Sequence, residues 1–321
     1  MLSDAGSFQS AAKRPRGFSI AKLGLVLTLT LIAFFVFWRY RPVKSDEITR
    51  YTFVVSDVMV QVAKGTRVTM WTYNGQVPGP TIHAKVGDTI EITLINKTKQ
   101  THSLHSHGLD YAPKDDGSIA VPESMVPPGG KHVYVFKASK PGLSYYHDHA
   151  EDDQPVSVHQ QQGLYGAVIV DDPNKPLPKV DKEEVVFFGE VYGSPGIAMD
   201  HGCAYCTFNE KYFTVDARTY PLSAQFHPLK AKVGQRLRFY VINIGNDIHS
   251  WHLHRQPQYL IERGGQDEVL QKRVESQVVG LVPGEAATID AVMEEAGTWL
   301  NHCHVVPHAD MGMISVLIVE P

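Results

Sequence analysis

The sequence predicts an all-β chain: two copies of one β-sandwich or barrel domain, preceded by a single membrane-spanning helix. From Ile48 onward the chain is a succession of short runs rich in Val, Ile, Thr and Tyr, punctuated by Gly and Pro, with no sustained 3.6-residue period. Four segments of the first half then recur in the same order in the second. Ahead of both copies lies one long apolar stretch, Ile20 to Trp38.

That stretch is interrupted only by Lys22 and two threonines, and its length suits one transmembrane helix, with Trp38 and Tyr40 at an interface. Residues 1–19 form a polar tail before it. A cleaved secretory signal is the rival reading, but no small-x-small site precedes the charged "RYRPVKSDE". Positive charges nearly balance across the span, so they barely set its orientation.

The strands come next: "YTFVVSDVMVQV", "TRVTMWTYNG", "TIEITLIN", "KHVYVFKA" and "AVIVDD". Their pattern repeats. "AKVGDTIEITLIN" resembles "AKVGQRLRFYVIN", "THSLHSH" resembles "IHSWHLH", "PGLSYYHDH" resembles "AGTWLNHCH", and "GLYGAVIV" resembles "GMISVLIV". Four matches in order imply a duplicated domain. The copies are expected at 47–172 and 183–321, joined by a Pro-rich linker at 173–182. The halves are unequal. Asp148 stands where Cys303 stands in the second copy, and Leu164 where Met313 stands. His102 matches His249, but His308 has no evident counterpart.

Composition narrows the function. A formal net charge of −4 and the lack of a basic stripe with interleaved aromatics argue against nucleic acid. Three cysteines are too few for a disulfide framework. Sixteen histidines, most in four tight clusters, point to metal. Parity along a strand sorts the ligands, because residues i and i+2 share a face while i+1 looks the other way. One set holds His105, His107, His147, His149, His252, His254, His302 and His304. A second holds His249, Cys303, His308 and Met313: two imidazoles, a thiolate and a thioether, the donor set of a blue-copper centre. Eight imidazoles without carboxylates suit several copper ions. The strand bearing Cys303 between His302 and His304 therefore carries a metal on each face.

These motifs, "HSHG", "HDH", "HSWHLH" and "HCHVVPHADMGM", together with "NGQVPGPTI" and "GLYGAVIV", resemble the multicopper oxidases. The resemblance is greatest to the two-domain, small-laccase type with its blue copper in the second domain, and it covers roughly residues 50–321. It implies two cupredoxin-like Greek-key sandwiches and four copper ions per chain. The type 1 copper takes His249, Cys303, His308 and Met313. The type 2 copper takes His105 and His252. The type 3 pair takes His107, His147, His149, His254, His302 and His304. The implied reaction is four one-electron oxidations of a phenol, aromatic amine or metal ion, coupled to reduction of O₂ to two waters. Asp116 sits where the family places an acidic residue near the type 2 copper and is the expected proton relay. Asp310 is a weaker candidate, and Tyr111 a candidate electron buffer near the cluster.

The resemblance also points to a homotrimer with clusters shared between chains, anchored in a membrane with its catalytic domains outside the cytoplasm. Alternative activities are a metal-ion oxidase for Cu(I), Fe(II) or Mn(II), a copper nitrite reductase and a non-enzymatic copper electron carrier. A nitrite reductase keeps its Cys-bearing blue site in the first domain, and a carrier leaves the eight-histidine set unexplained. Cys203 and Cys206 form a CxxC pair with no counterpart in the first copy; it suits a small disulfide, an accessory metal with His201 or Met199, or free thiols. His83, His132, His159 and His227 carry no motif and read as ordinary histidines.

Overall fold

A computed structural model describes residues 47–151, 154–192, 211–264 and 274–321. The apolar stretch expected to span a membrane, the tail before it and the pair Cys203/Cys206 lie outside these residues. Among the described residues no helix is long and apolar enough to cross a membrane.

Each half of the chain builds two sheets. In the first half, one sheet runs in the order Thr66–Tyr73, Ile48–Ala63, Thr89–Asn96, Lys131–Lys137, Asp110–Tyr111. The other runs Ile82–Lys85, Tyr165–Asp171, Gly142–His147, His105–Ser106. The second half repeats both orders. Lys211–Val215, Lys182–Tyr192, Arg236–Asn243 and Ala286–Val292 match the first sheet, extended by Gln258–Arg263 and Val274–Glu275. Leu229–Lys232, Ile314–Glu320, Gly297–Cys303 and His249–Leu253 match the second, extended by Val279–Leu281. Register agrees as well. In the parallel pairs Val55 faces Asn96 and Phe188 faces Asn243.

Strand parity explains how the halves hold together. Along Tyr165–Asp171 both faces are buried: Val168 and Val170 enter the first-half core with Phe53, Ile90 and Leu94. Tyr165, Ala167 and Ile169 point away from it and pack against Phe187, Tyr240 and Ile242 of the second half. Arg236–Asn243 behaves likewise, with Leu237, Phe239 and Val241 in the second-half core and Tyr240 and Ile242 in the shared layer. Such two-sided burial is why these strands read as near-continuous apolar runs.

Two buried asparagines shape the loops that deliver the histidine motifs. Asn96 donates from Nδ2 to the carbonyls of Gln100 and Val126, and its Oδ1 accepts from the Thr98 N–H. Asn243 repeats this, donating to Asp247 and Leu281 and accepting from Gly245. Both side chains are fully buried and spend their polar atoms on backbone groups of the turns.

Candidate metal centres

Gly297–Cys303 pairs antiparallel with His249–Leu253, setting Trp251 opposite Cys303 and His252 opposite His302. Alternation then divides the side chains. His249, Trp251 and Cys303 are fully buried, while His252, His254, His302 and His304 retain exposure on the other face. The two-faced strand expected from parity is present.

On the buried face, Cys303 Sγ lies 3.8 Å from Nδ1 of His249 and 3.8 Å from Nδ1 of His308, and these nitrogens are 3.2 Å apart. His308 arrives on the short helix Val306–Asp310, and the backbone of Met313 ties to both neighbours: Cys303 N–H donates to Met313 O, and Met313 N–H to His308 O. Met313 is fully buried in the same core. Burial pushes the Cys303 thiol up, but His249 and the N–H groups of Ser250 and Val305 outweigh it and hold the thiol below its ordinary range. The Phe213 ring stacks on His308 at 3.9 Å. Behind the site Glu190, fully buried, accepts from His249 Nε2 at 2.9 Å. That carboxylate fixes the tautomer, leaving the Nδ1 lone pair of His249 aimed at the thiol. No sequence motif marked Glu190 or Phe213.

On the other faces the structure gathers two triplets: His105, His107 and His147 in the first half, and His252, His254 and His302 in the second. His149 and His304 complete them, His149 with its ring 5.2 Å from that of His105 and His304 with its ring 4.9 Å from that of His252. Each triplet has two facing nitrogens, His107 Nε2 to His147 Nε2 at 3.1 Å and His254 Nε2 to His302 Nε2 at 3.0 Å. Four of the eight histidines have Nδ1 committed elsewhere. His147 donates to Asp148 O, His302 to Cys303 O, His105 to Asp116 O and His252 to Gln277 O. Two imidazole lone pairs at such a distance repel unless a proton or cation lies between them. Burial and neighbouring histidines lower His107 to about 4 and His147 to about 3, so protons fill these sites poorly near neutral pH. Neutral imidazoles are what a metal requires, and the Nδ1 bonds fix the tautomer of His105, His147, His252 and His302. The donor sets therefore fit copper.

Asp116 lies beside the first triplet, with Oδ1 3.6 Å from His105 Nδ1, and takes hydrogen bonds from Ser118 Oγ and the Tyr111 hydroxyl. Burial and this carboxylate push Tyr111 up to about 12. Gly117 makes the placement possible: at φ +73°, a Cβ here would lie 2.4 Å from the Leu104 carbonyl oxygen. Asp310 is exposed at the end of the helix that carries His308.

One expectation needs correction. His308 does have a first-half counterpart, His159. His102, Asp148 and His159 converge, all fully buried, at the position that His249, Cys303 and His308 occupy in the second half. Trp71 packs on His102 and His159 where Phe213 packs on His249 and His308. The signal was present in the sequence: His159 precedes Leu164 by the same five residues that separate His308 from Met313.

Two family models described as multicopper oxidase match the chain, over residues 54–175 and 204–321. The chain belongs to the multicopper oxidase family. The copper-containing nitrite reductase of Neisseria gonorrhoeae is 29% identical over 272 residues, 80% of this chain and 64% of that protein. Laccase-25 of Oryza sativa subsp. japonica is 28% identical over 287 residues, 84% of this chain and 47% of that protein. The chain spans less than two thirds of the length of the curated relatives it matches. The solved structure of multicopper oxidase mgLAC superposes with a TM-score of 0.73 at 26% identity, covering 85% of this chain and 86% of that one. Both halves are cupredoxin-like.

Proposed function

We propose that the chain is a laccase-like oxidase that holds four copper ions: type 1 at His249, Cys303, His308 and Met313, type 2 at His105 and His252, and type 3 at the six remaining histidines. Bound copper would supply one-electron chemistry, taking four electrons from a phenol, aromatic amine or metal ion and passing them to O₂, which leaves as two waters. The observation that carries this reading is the strand Gly297–Cys303, which places a thiol group on one face and imidazoles His302 and His304 on the other. Cys303 is covalently joined to both, so its peptide bonds offer a short path between the two centres. Asp116 stands beside His105 as a carboxylate: burial pushes its pKa up, but hydrogen bonds from Ser118 and Tyr111 and the neighbouring histidines hold it below its ordinary range, and it relays the protons that oxygen reduction consumes.

A nitrite reductase is the competing activity, raised by the Neisseria relative. Asp148 speaks against it, because the first half has no thiolate in the buried cluster that matches the Cys303 site. Oxygen uptake by copper-loaded protein, tested over a panel of phenols, aromatic amines and Cu(I), Fe(II) and Mn(II), decides the matter. Nitrite turnover with no oxygen uptake on any donor sinks the oxidase reading.

The assembly follows from the triplets. Their nitrogens pair within each half, and His107 and His304 are exposed, which supports reading each set as half of a cluster. A closed ring in which the first domain of one chain meets the second domain of the next completes every cluster. We take this ring to be a homotrimer, anchored through residues 20–38 with its domains outside the cytoplasm.

A further inference from the structure

The buried cluster His102–Asp148–His159 has the position of a type 1 copper site but a different chemistry. Asp148 Oδ2 lies 2.6 Å from His102 Nδ1 and 2.8 Å from His159 Nδ1. Oδ1 accepts from the Ser103 N–H at 2.8 Å, the Ser103 hydroxyl at 3.0 Å and the Ala150 N–H at 2.9 Å. One carboxylate thus takes five hydrogen bonds. Donors that share a tetrahedral metal at about 2.0–2.1 Å stand about 3.3 Å apart. The two N···O distances here are shorter than that and belong to hydrogen bonds. The corresponding atoms around Cys303 are 3.2 to 3.8 Å apart, which leaves room for an ion.

Charge points the same way. A divalent ion at the Cys303 site meets two buried negative groups, the thiolate and Glu190. Glu190 faces Phe213 across its strand pair, and the matching residue, facing Trp71, is Asp57. Asp57 is exposed, and His102 Nε2 is buried with no hydrogen-bond partner. A divalent ion at Asp148 would therefore leave an uncompensated positive charge in a dry site, which is costly. Five donors around a single carboxylate leave none.

We propose that His102, Asp148 and His159 form a metal-free counterpart of a type 1 centre, whose role is to position the cluster ligands His147 and His149. Asp148 lies between these two histidines in the chain. Its carbonyl oxygen accepts the His147 Nδ1–H, and Ser103 Oγ, which donates to its carboxylate, accepts the His149 N–H at 3.0 Å. In the second half a bound metal would tie the strand to its neighbours at this point; in the first half hydrogen bonds do so whether or not copper has arrived. The first half is therefore ready to load copper before it holds any. The positioning part rests on the type 3 assignment of His147 and His149.

The test compares His159→Asn, whose amide N–H stands near the imidazole Nδ1 position and still donates to Asp148, with His159→Leu and Asp148→Asn. Full-length protein is loaded with copper and read by metal content per chain, near-ultraviolet absorption of the type 3 pair, the blue band, and the thermal midpoint without metal. Expected are retention of type 3 copper in His159→Asn and loss of type 3 affinity by about tenfold or more in the other two. The blue band should be unchanged in all three, and the metal-free midpoint of the two impaired variants should fall by at least about 2–4 °C. Ser103→Ala, which removes one donor and the acceptor for His149, should show a smaller loss and serves if His159→Leu does not fold. A metal ion beyond four per chain that disappears in both His159 variants overturns the metal-free assignment. Full type 3 copper with an unchanged metal-free midpoint in both Asp148→Asn and His159→Leu overturns the positioning role. Wild-type protein that loads no type 3 copper would count against the proposed function, a result separable from either.

Discussion

Glu190 and Cys303 show how single residues set the chemistry of the mononuclear group. Cys303 supplies the thiolate, and its replacement by Ser is expected to abolish the intense blue absorption while the histidine triplets keep their copper. Absorption and EPR spectra of the copper-loaded variant check this; a variant that stays blue removes Cys303 from the site. Glu190 acts one bond network further out. Its buried carboxylate orients His249 and offsets the charge of the ion, so Glu190→Gln is expected to weaken copper retention at this site by about 10- to 100-fold and to raise its reduction potential. A titration with a copper chelator, followed at the blue band, measures the first effect. Asp116→Asn belongs to the same scale. It should slow cluster reoxidation and turnover by about 100-fold yet leave reduction of the blue centre by substrate nearly unchanged. Stopped-flow measurement of the two half-reactions separates these outcomes, and equal slowing of both takes Asp116 out of the relay.

At the scale of elements, period-2 alternation made much of the site legible in the sequence. Once "HSWHLH" and "LNHCH" are read as strands, parity alone assigns His249 and Cys303 to one face and the paired histidines to the other, and the structure has this arrangement. What parity misses are partners brought by other elements. Glu190 comes from Lys182–Tyr192, in the opposite sheet, where nothing in the local sequence marks it. His159 was hidden because Asp148 and His159 are eleven residues apart, against five for Cys303 and His308, so the first copy has six more residues before the histidine of its short helix Val156–Gln161. His227, likewise read as ordinary, clamps the end of the helix Leu222–Phe226 by bonding Asp216 at 2.8 Å and Glu184 at 2.9 Å. Burial lowers its pKa, but the two carboxylates win and raise it to about 10. The ordinary value for an unfolded chain is about 6.5, so this clamp stabilises fully below that pH and is lost as pH climbs towards 10. The stability deficit of His227→Gln, read from denaturant midpoints, should therefore be largest at pH 6 and shrink by pH 10. A deficit independent of pH would show that the histidine acts by packing alone.

For the whole molecule, duplication is the organising fact. Each domain carries one set of four histidines, and Asp148 and Leu164 of the first stand where the second has Cys303 and Met313. The shared apolar layer that includes Tyr165, Phe187, Tyr240 and Ile242 packs the two domains of one chain against each other, while His107 and His304 are exposed. The measurement that tests this account most directly is complementation between two inactive chains. His147→Ala spoils the first-domain half of the cluster and His302→Ala the second-domain half. Each alone should lack type 3 absorption and oxygen uptake. Unfolded together and refolded with copper, they should regain both, because about a quarter of the interfaces in a randomly mixed ring then join an intact first domain to an intact second domain. A mixture as inactive as its parents, alongside wild-type protein that refolds to full activity, would mean that each cluster closes within one chain, and the shared-cluster account would be wrong.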